Sequence, residues 1–390
     1  MKILYIFFHK YGDMPYHTRE WVEAAAELGH EIEIVTSIDP VFLAKIGWDG
    51  KFKVVQTERP SSSGISYVSR LLKAHRTIKK HVREMKPDII YERFSLISPS
   101  SVFAVRKSGI PYAVEINGIL DEELKLSENS RLKLFIIGLV ESYVYKNAGS
   151  VIAVTAKIRD WIESRYHVGM EKIKIVPNGV NESRFHPYDM LESRKKFKVP
   201  ENAFIVGYLG SLFEWQDIDI LMDTAGRIKS SIPEVHFMIG GGQEPIWSRM
   251  KKRISDEGLG DLFTAPGQIP WDDAAQFISC FNVAASTLKF EDPTYEVSPL
   301  KLASYMACER PVIGTNYPGV DKLLIANSSG IVYEKGDRDS FVDKVKLLYG
   351  MKEEERAGMG KRGRAFIERN LTWKKIVGDT IGFINDRSIK

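Results

Sequence analysis

The chain has little that would mark an extracellular, metal-bound or membrane-spanning protein. Only two cysteines, Cys280 and Cys308, occur in 390 residues. Both have apolar neighbours, so buried thiols in a reducing compartment are expected rather than a disulfide framework. No CxxC or Cys/His spacing outlines a metal site. No apolar run reaches the roughly 18 residues of a membrane span. The opening strand KILYIFF is too short for a secretory core and has no small-residue cleavage site, so a cytoplasmic protein is expected. A net charge of +4 is too small to point to nucleic acid. Glycine is sparse in the first loop, HKYGDMPYHT, which has only Gly12. Its polar neighbours include His17 and Arg19.

What remains is an ordinary soluble chain, 44% hydrophobic and 27% charged, of a length that suits two domains. Residues 2–37 read as strand, helix and strand: KILYIFF, REWVEAAAELGH closed by Gly29, then EIEIVTS. That unit predicts a parallel sheet. DIIYERFS and IPYAVEIN are further strands, ending at Glu92-Arg93 and at Glu115, Asn117 and Gly118. Ligands gather outside the carboxyl ends of strands in such sheets, which makes Glu92, Arg93, Glu115 and Asn117 acceptor candidates beside His17 and Arg19. A basic helix, SYVSRLLKAHRTIKKHVREMK, has Val68, Leu71, Leu72, Ile78, Val82 and Met85 as its core side. Its charges read first as a solvated face and second as a surface for anionic lipid or a polyphosphate. A later helix carries Leu132, Leu134, Phe135, Ile136, Leu139, Val140, Tyr143 and Val144. Core packing is the first reading of that apolar set, insertion at a membrane interface the second.

Residues 183–200 are polar and read as a linker. FIVGYLGSLFEWQDIDILMDTAGRI then restarts the strand–loop–helix pattern. HFMIGGGQEP runs from a strand into Gly240, Gly241 and Gly242, which can seat a nucleotide against bare backbone. The most informative stretch is 291–315, EDPTYEVSPLKLASYMACERPVIGT. Ser298 is a suitable N-cap and Pro299 a suitable first helical residue for LKLASYMA. A helix that starts in a loop aims free N–H groups and partial positive charge at its occupant, usually a phosphate. Glu296, two residues before the cap, could accept a hydroxyl beside it.

That stretch resembles the donor-site signature of glycosyltransferase family 4, whose S-P-L-K-L-x-E-Y-M-A-x-G-x-P-V-I part aligns from Ser298, with the family's first Glu present as Glu296 two residues ahead of it. The resemblance extends to V-P-N-G-V near residue 178, to a G-S-L phrase at Gly210 and Ser211, and to Leu371-Thr372-Trp373. It implies a retaining, metal-independent transferase with two Rossmann-like lobes facing each other across a cleft, the GT-B fold. The expected lobes are residues 1–183, acceptor-binding, and 184–373, donor-binding. The terminal helix, about 374–390, crosses back to the first lobe. The co-substrate would be a nucleotide sugar, by default a UDP-sugar, with no other cofactor. The acceptor would be a glycan or glycolipid, as in polysaccharide biosynthesis, with the inner face of an anionic membrane as a further partner and no nucleic acid.

Carried over residue by residue, the resemblance gives Glu296, Lys301 and Asn117 catalytic roles. The donor would lie against Gly12, Gly210, Ser211, Gln216, Gly240, Gly241, Gly242, Gln268, Ile269, Ser298, Pro299, Leu300 and Ser304. The acceptor would meet His17, Arg19, Glu92, Arg93 and Glu115. Three positions depart from the pattern. Asn117 takes the place of a His, Gln216 that of a cation on the donor diphosphate, and Ser304 that of a ribose-gripping Glu. Asp217 stands where a Gly is usual. An active transferase and a weak or inactive nucleotide-sugar-binding partner subunit both stay open. A sugar-nucleotide epimerase is disfavoured by the S-P-L-K and V-P-N-G-V phrases.

Overall fold

The computed structural model describes residues 1–8, 16–48, 50–57, 64–119, 130–242, 244–289, 298 and 300–388. The chain divides into two compact units, Met1–Asn178 with Trp373–Lys390, and Gly179–Thr372.

Unit 1 is a seven-stranded sheet in the order β3-β2-β1-β4-β5-β6-β7. Its strands are β1 (Lys2–Phe7), β2 (Glu31–Thr36), β3 (Lys53–Gln56), β4 (Ile89–Arg93), β5 (Tyr112–Ile116), β6 (Ser150–Ala153) and β7 (Ile173–Ile175). Every pairing is parallel. The helices between them are α1 (Tyr16–Glu27), α2 (Pro40–Lys45), α3 (Gly64–Met85), α4 (Pro99–Val105), α5 (Arg131–Asn147) and α6 (Ala156–Tyr166). One face of the sheet buries Ile6, Ile90, Val114 and Val151 against α3, α4, α5 and α6. The strand order reverses between β1 and β4, the switch point where ligands enter such sheets.

Unit 2 repeats the plan with six strands in the order β10-β9-β8-β11-β12-β13. They are β8 (Phe204–Leu209), β9 (Val235–Gly240), β10 (Phe263–Gly267), β11 (Val283–Ser286), β12 (Val312–Thr315) and β13 (Gly330–Tyr333). Its helices are α7 (Met190–Phe197), α8 (Asp219–Ile228), α9 (Ile246–Asp256), α10 (Ala274–Ser279), α11 (Leu300–Ala307), α12 (Val320–Ala326), α13 (Arg338–Gly350) and α14 (Glu353–Asn370). The reversal here falls between β8 and β11. The last helix, α15 (Trp373–Ser388), returns to unit 1. Lys374 pairs with Glu27 of α1 at 3.0 Å, and Lys174 donates to the Asp379 carbonyl at 2.5 Å.

The structure corrects three readings of the sequence. Residues 183–200 are not merely a linker. Asp189 caps α7 by accepting from the Glu192 N–H at 2.9 Å, and buried Arg194 holds the Cys280 carbonyl at 3.1 Å. In α3 the core stripe is Ala74, Ile78, Val82 and Met85, whereas Val68 and Leu72 lie on the opposite, exposed face. A helix turns 100° per residue, so a position one off the buried stripe points out. In α5 the apolar set is split. Ile137 and Val144 are buried, while Leu132, Phe135, Ile136 and Leu139 are exposed. Its apolar residues cover more of the helix than the sheet can cover.

Candidate functional site

In unit 2 the carboxyl ends of β8, β9 and β10 converge through glycine. The Gly210 N–H donates to the Gly240 carbonyl at 3.1 Å, and the Gly241 N–H to the Gly267 carbonyl at 2.7 Å. Gly241 has φ +103°, and a Cβ there would overlap the Gly210 carbonyl. A Cβ on Gly240 would sit 2.8 Å from the Phe277 ring and 2.9 Å from Ile269 Cγ1. These glycines let two loops touch at backbone level, and so build a ledge of main chain at the switch point. Ser211 and Gln268 are exposed on this ledge and Ile269 is half-buried.

Helix α11 reaches the same strand ends. Tyr305 accepts from the Leu209 N–H at 2.8 Å and donates to the Leu209 carbonyl at 3.0 Å, pinning α11 to the end of β8. One turn earlier on the helix, Lys301 extends its amine over the Tyr208 ring, 4.6 Å from the centroid. The amine donates to the Tyr208 hydroxyl at 3.1 Å and to the Gln216 side-chain oxygen. Tyr208 in turn donates to the Ser211 carbonyl at 2.6 Å. Lys301 keeps part of its surface, but the amine is enclosed, and burial lowers it to about 7. Gln216, at the position of the missing cation, is therefore a neutral acceptor that holds Lys301 in place.

Asp217 explains the missing glycine. Its φ is +46°, the left-handed region that favours Gly but admits Asp. Its carboxylate is buried and bound by both terminal nitrogens of Arg338, at 3.0 and 3.2 Å. Arg338 also holds Asp223 at 3.0 Å, so the loop carrying Gln216 is anchored to α8 and α13. On the other side, Thr287 donates to the Gln216 carbonyl. Lys289 ties the same loop down through its backbone N–H, 2.9 Å from the Trp215 carbonyl.

The Ser304 hydroxyl is turned back on its own helix, 3.1 Å from the Leu300 carbonyl. Leu300 opens α11, and Ser298 lies half-buried before it. Glu296, Pro299 and Gly12 fall outside the described residues.

In unit 1 the ends of β4 and β5 carry a polar cluster. Glu115 is buried and accepts from Tyr91 at 2.5 Å and from Asn117. Its other neighbour is His17 Nε2, at 3.3 Å. His17 packs edge-on against Trp373, the first residue of α15, 4.7 Å away. Its Nδ1 is buried with no hydrogen-bond partner among the described residues, and burial drives the ring down to about 4 despite Glu115. His17 is thus a neutral imidazole at pH 7. Arg93 reaches the Thr18 hydroxyl at 3.4 Å, on the same side of the sheet.

Two expected acceptor residues do not join this cluster. Side chains alternate along a strand, so Glu92 faces away from Arg93 and Glu115. It is fully buried against Ser98 at 2.8 Å and Tyr112 at 2.6 Å, and burial raises it to about 7. Arg19 pairs with Glu23 at 3.1 Å within α1, and Glu23 also receives Trp48. The sequence reading missed Tyr208, Tyr305 and the Asp217–Arg338 pair. Only Tyr305 carried a signal, because it lies four residues after Lys301 on one helical face.

Known proteins share this fold. The family model "Glycosyltransferase Family 4" matches residues 14–184, and "Glycosyl transferases group 1" matches residues 189–366. The chain is similar to the D-inositol 3-phosphate glycosyltransferase of Stackebrandtia nassauensis, 20% identical over 77% of this chain and 68% of that one. Among solved structures it is similar to HepE of Anabaena in complex with UDP. The TM-score there is 0.79 at 16% identity, covering 99% of this chain and 100% of that one. It is also similar to sucrose-phosphate synthase of Thermosynechococcus elongatus, with TM-score 0.77 at 18% identity, over 99% and 98% of the two chains. At these identities the likeness establishes a shared fold of two Rossmann-like domains.

Proposed function

The chain belongs to glycosyltransferase family 4, as a divergent member, and on that premise we propose that it transfers a sugar with retention from a UDP-sugar to a hydroxyl of a glycan or lipid-linked saccharide. The observation that carries the donor half is the enclosed Lys301 amine beside the glycine ledge and the start of α11. Glycosyl transfer needs the leaving diphosphate stabilised as the sugar gains oxocarbenium character. A helix start contributes about 0.3–2 kcal/mol to that. The Lys301 amine, lowered to about 7 when free, gains its full charge once a diphosphate lies beside it, and the bond to Gln216 fixes its direction. The two together can carry the diphosphate charge that a metal carries elsewhere, which supports a metal-independent reaction. Glu296 takes the sugar hydroxyls by family resemblance.

The acceptor half rests on Glu115, Asn117 and neutral His17. A buried carboxylate that orients an amide and an imidazole suits the hydroxyls of a saccharide rather than a cationic group. Phosphorylated polyols fit the same surroundings through Arg93. A cytoplasmic location on the inner face of the membrane agrees with a lipid-linked acceptor.

Thermal unfolding with a panel of nucleotide sugars tests the donor assignment, with turnover followed in the same samples. UDP-sugars are expected to stabilise the protein and to be slowly hydrolysed, with chelator present throughout. Stabilisation without hydrolysis or transfer favours the binding-subunit reading, which the Asn117, Gln216 and Ser304 departures together motivate. No stabilisation by any nucleotide contradicts both.

A further inference from the structure

We propose that the outer face of the α3–α4–α5 layer is a docking surface that seats unit 1 on a bilayer containing anionic lipid, with α5 entering the headgroup boundary. The first observation is an apolar stripe that the fold leaves uncovered. Leu132, Phe135, Ile136 and Leu139 recur at i, i+3, i+4 and i+7 of α5 and are between 48% and 68% exposed. That spacing normally faces a core. Here the core is served by the other side of the helix, through Val144 and Tyr145, with Ile137 buried on that side as well.

The stripe continues onto its neighbours. Phe103 of α4, itself half exposed, stacks on Tyr143 of α5 at 5.1 Å. Ser100 of α4 donates to the Leu71 carbonyl of α3 at 2.9 Å, which brings the exposed Val68 and Leu72 alongside. An exposed apolar patch spread over three adjacent helices is a contact surface rather than scatter.

The charge around the patch identifies the partner. On α3 the face that begins with Val68 and Leu72 runs on as Arg76, Lys79 and Arg83, all exposed. Arg106 and Lys107 close α4, and Arg131 opens α5. Among the described residues of these three helices the acids are two. Glu84 lies 3.8 Å from Lys80, and Glu141 is buried beneath Tyr145 and Tyr166. Apolar side chains with exposed cations on or beside the same helices match a headgroup layer, in which the apolar groups sink and the cations meet lipid phosphates. A second copy of the chain fits poorly, because a symmetric contact would set the same basic rims against each other.

The position of the patch also matters. In a parallel unit each helix runs back against its strands, so the first turns of α3 and α5 lie at the carboxyl edge of the sheet. That is the edge that bears Glu115 and Asn117. Docking by this face therefore brings the acceptor cluster close to the lipid surface. The link to a lipid-borne acceptor rests on the transferase reading. Docking itself does not, and it is measured without donor or acceptor.

The test is co-sedimentation of the full chain with phosphatidylcholine vesicles, with and without phosphatidylglycerol, at low and high salt. The expected result is binding to the anionic vesicles that weakens as salt rises. Phe135→Ser with Leu139→Ser is expected to lower the partition coefficient at least about tenfold. Arg76→Gln with Lys79→Gln is expected to lower it about fivefold per charge, on anionic vesicles alone. All four positions are exposed, and circular dichroism confirms that the variants fold. Failure to bind anionic vesicles at low salt overturns the proposal, as does binding that neither pair of changes weakens. A dimer that Phe135→Ser dissolves, in a protein that ignores vesicles, also overturns it and assigns the face to a second copy.

Discussion

The two units use one topology to build opposite sites. At the carboxyl ends of β8, β9 and β10 the chain places glycine, main-chain N–H groups and one enclosed amine. At the ends of β4 and β5 it places a buried carboxylate, an amide and a neutral imidazole. The buried Asp217 carboxylate behind the first set is bound by Arg338. The second offers a carboxylate, an amide and an imidazole, groups suited to hydroxyls. The sheet fixes where ligands arrive, and a few residues after each strand decide their charge.

The largest expected effect comes from removing the amine. Lys301→Met should lower kcat/KM with a UDP-sugar by about 10²–10³-fold, the usual loss for one preorganised donor. Steady-state transfer or donor hydrolysis measures it. A loss no greater than that of Gln216→Ala would break the contrast between the two sites, because Gln216 only holds the amine.

Glu92 sharpens the other side of the comparison. Its raised value means that the folded state holds a proton that the unfolded state releases. The resulting stability is full below about pH 4.5 and is lost as pH rises through about 7. The span corresponds to roughly 3 kcal/mol. Glu92→Gln should remove this dependence, so urea unfolding of the two proteins should diverge between pH 4.5 and 8. Parallel curves would show that Glu92 is ionised in the fold and that Ser98 and Tyr112 hold a carboxylate.

Gly241→Ala tests the ledge. At φ +103°, with a Cβ aimed at the Gly210 carbonyl, it should cost about 1–3 kcal/mol of stability and weaken nucleotide binding. Gly226→Ala, in α8 with nothing near its Cβ, is the control and should be neutral or stabilising. The smallest effect concerns Glu115→Gln, which keeps the shape and removes the charge. It should raise KM for the acceptor by about tenfold and leave donor binding unchanged, since one hydrogen bond to a charged group is weakened.

The fold was legible because buried parallel strands are written as short apolar runs. KILYIFF and FIVGYLG each lead into a polar loop and then a helix. The glycine ledge and the start of α11 were legible in Gly240–Gly242 and Leu300-Lys301, which are local signals. What the sequence could not show was long-range. Tyr208 looks like one more apolar strand residue until α11 brings Lys301 over it, 93 positions later. Arg338 lies 121 positions from Asp217 and carries no motif. Glu92 was misassigned because proximity to a strand end says nothing of which face a side chain takes. Leu132 to Leu139 were misassigned because an apolar stripe has the same spelling whether or not something covers it.

The most direct test of the central claim is proton-linked nucleotide binding. UDP is titrated calorimetrically into wild type and Lys301→Met above pH 7, in buffers of different ionisation enthalpy. The free amine is held down to about 7, and an adjacent diphosphate raises it. Wild type should therefore take up a proton on binding, and its Kd should weaken by up to about tenfold per pH unit above 7. In Lys301→Met both effects should vanish. Equal affinity and equal proton uptake in the two proteins would contradict the assignment of Lys301 to the donor diphosphate.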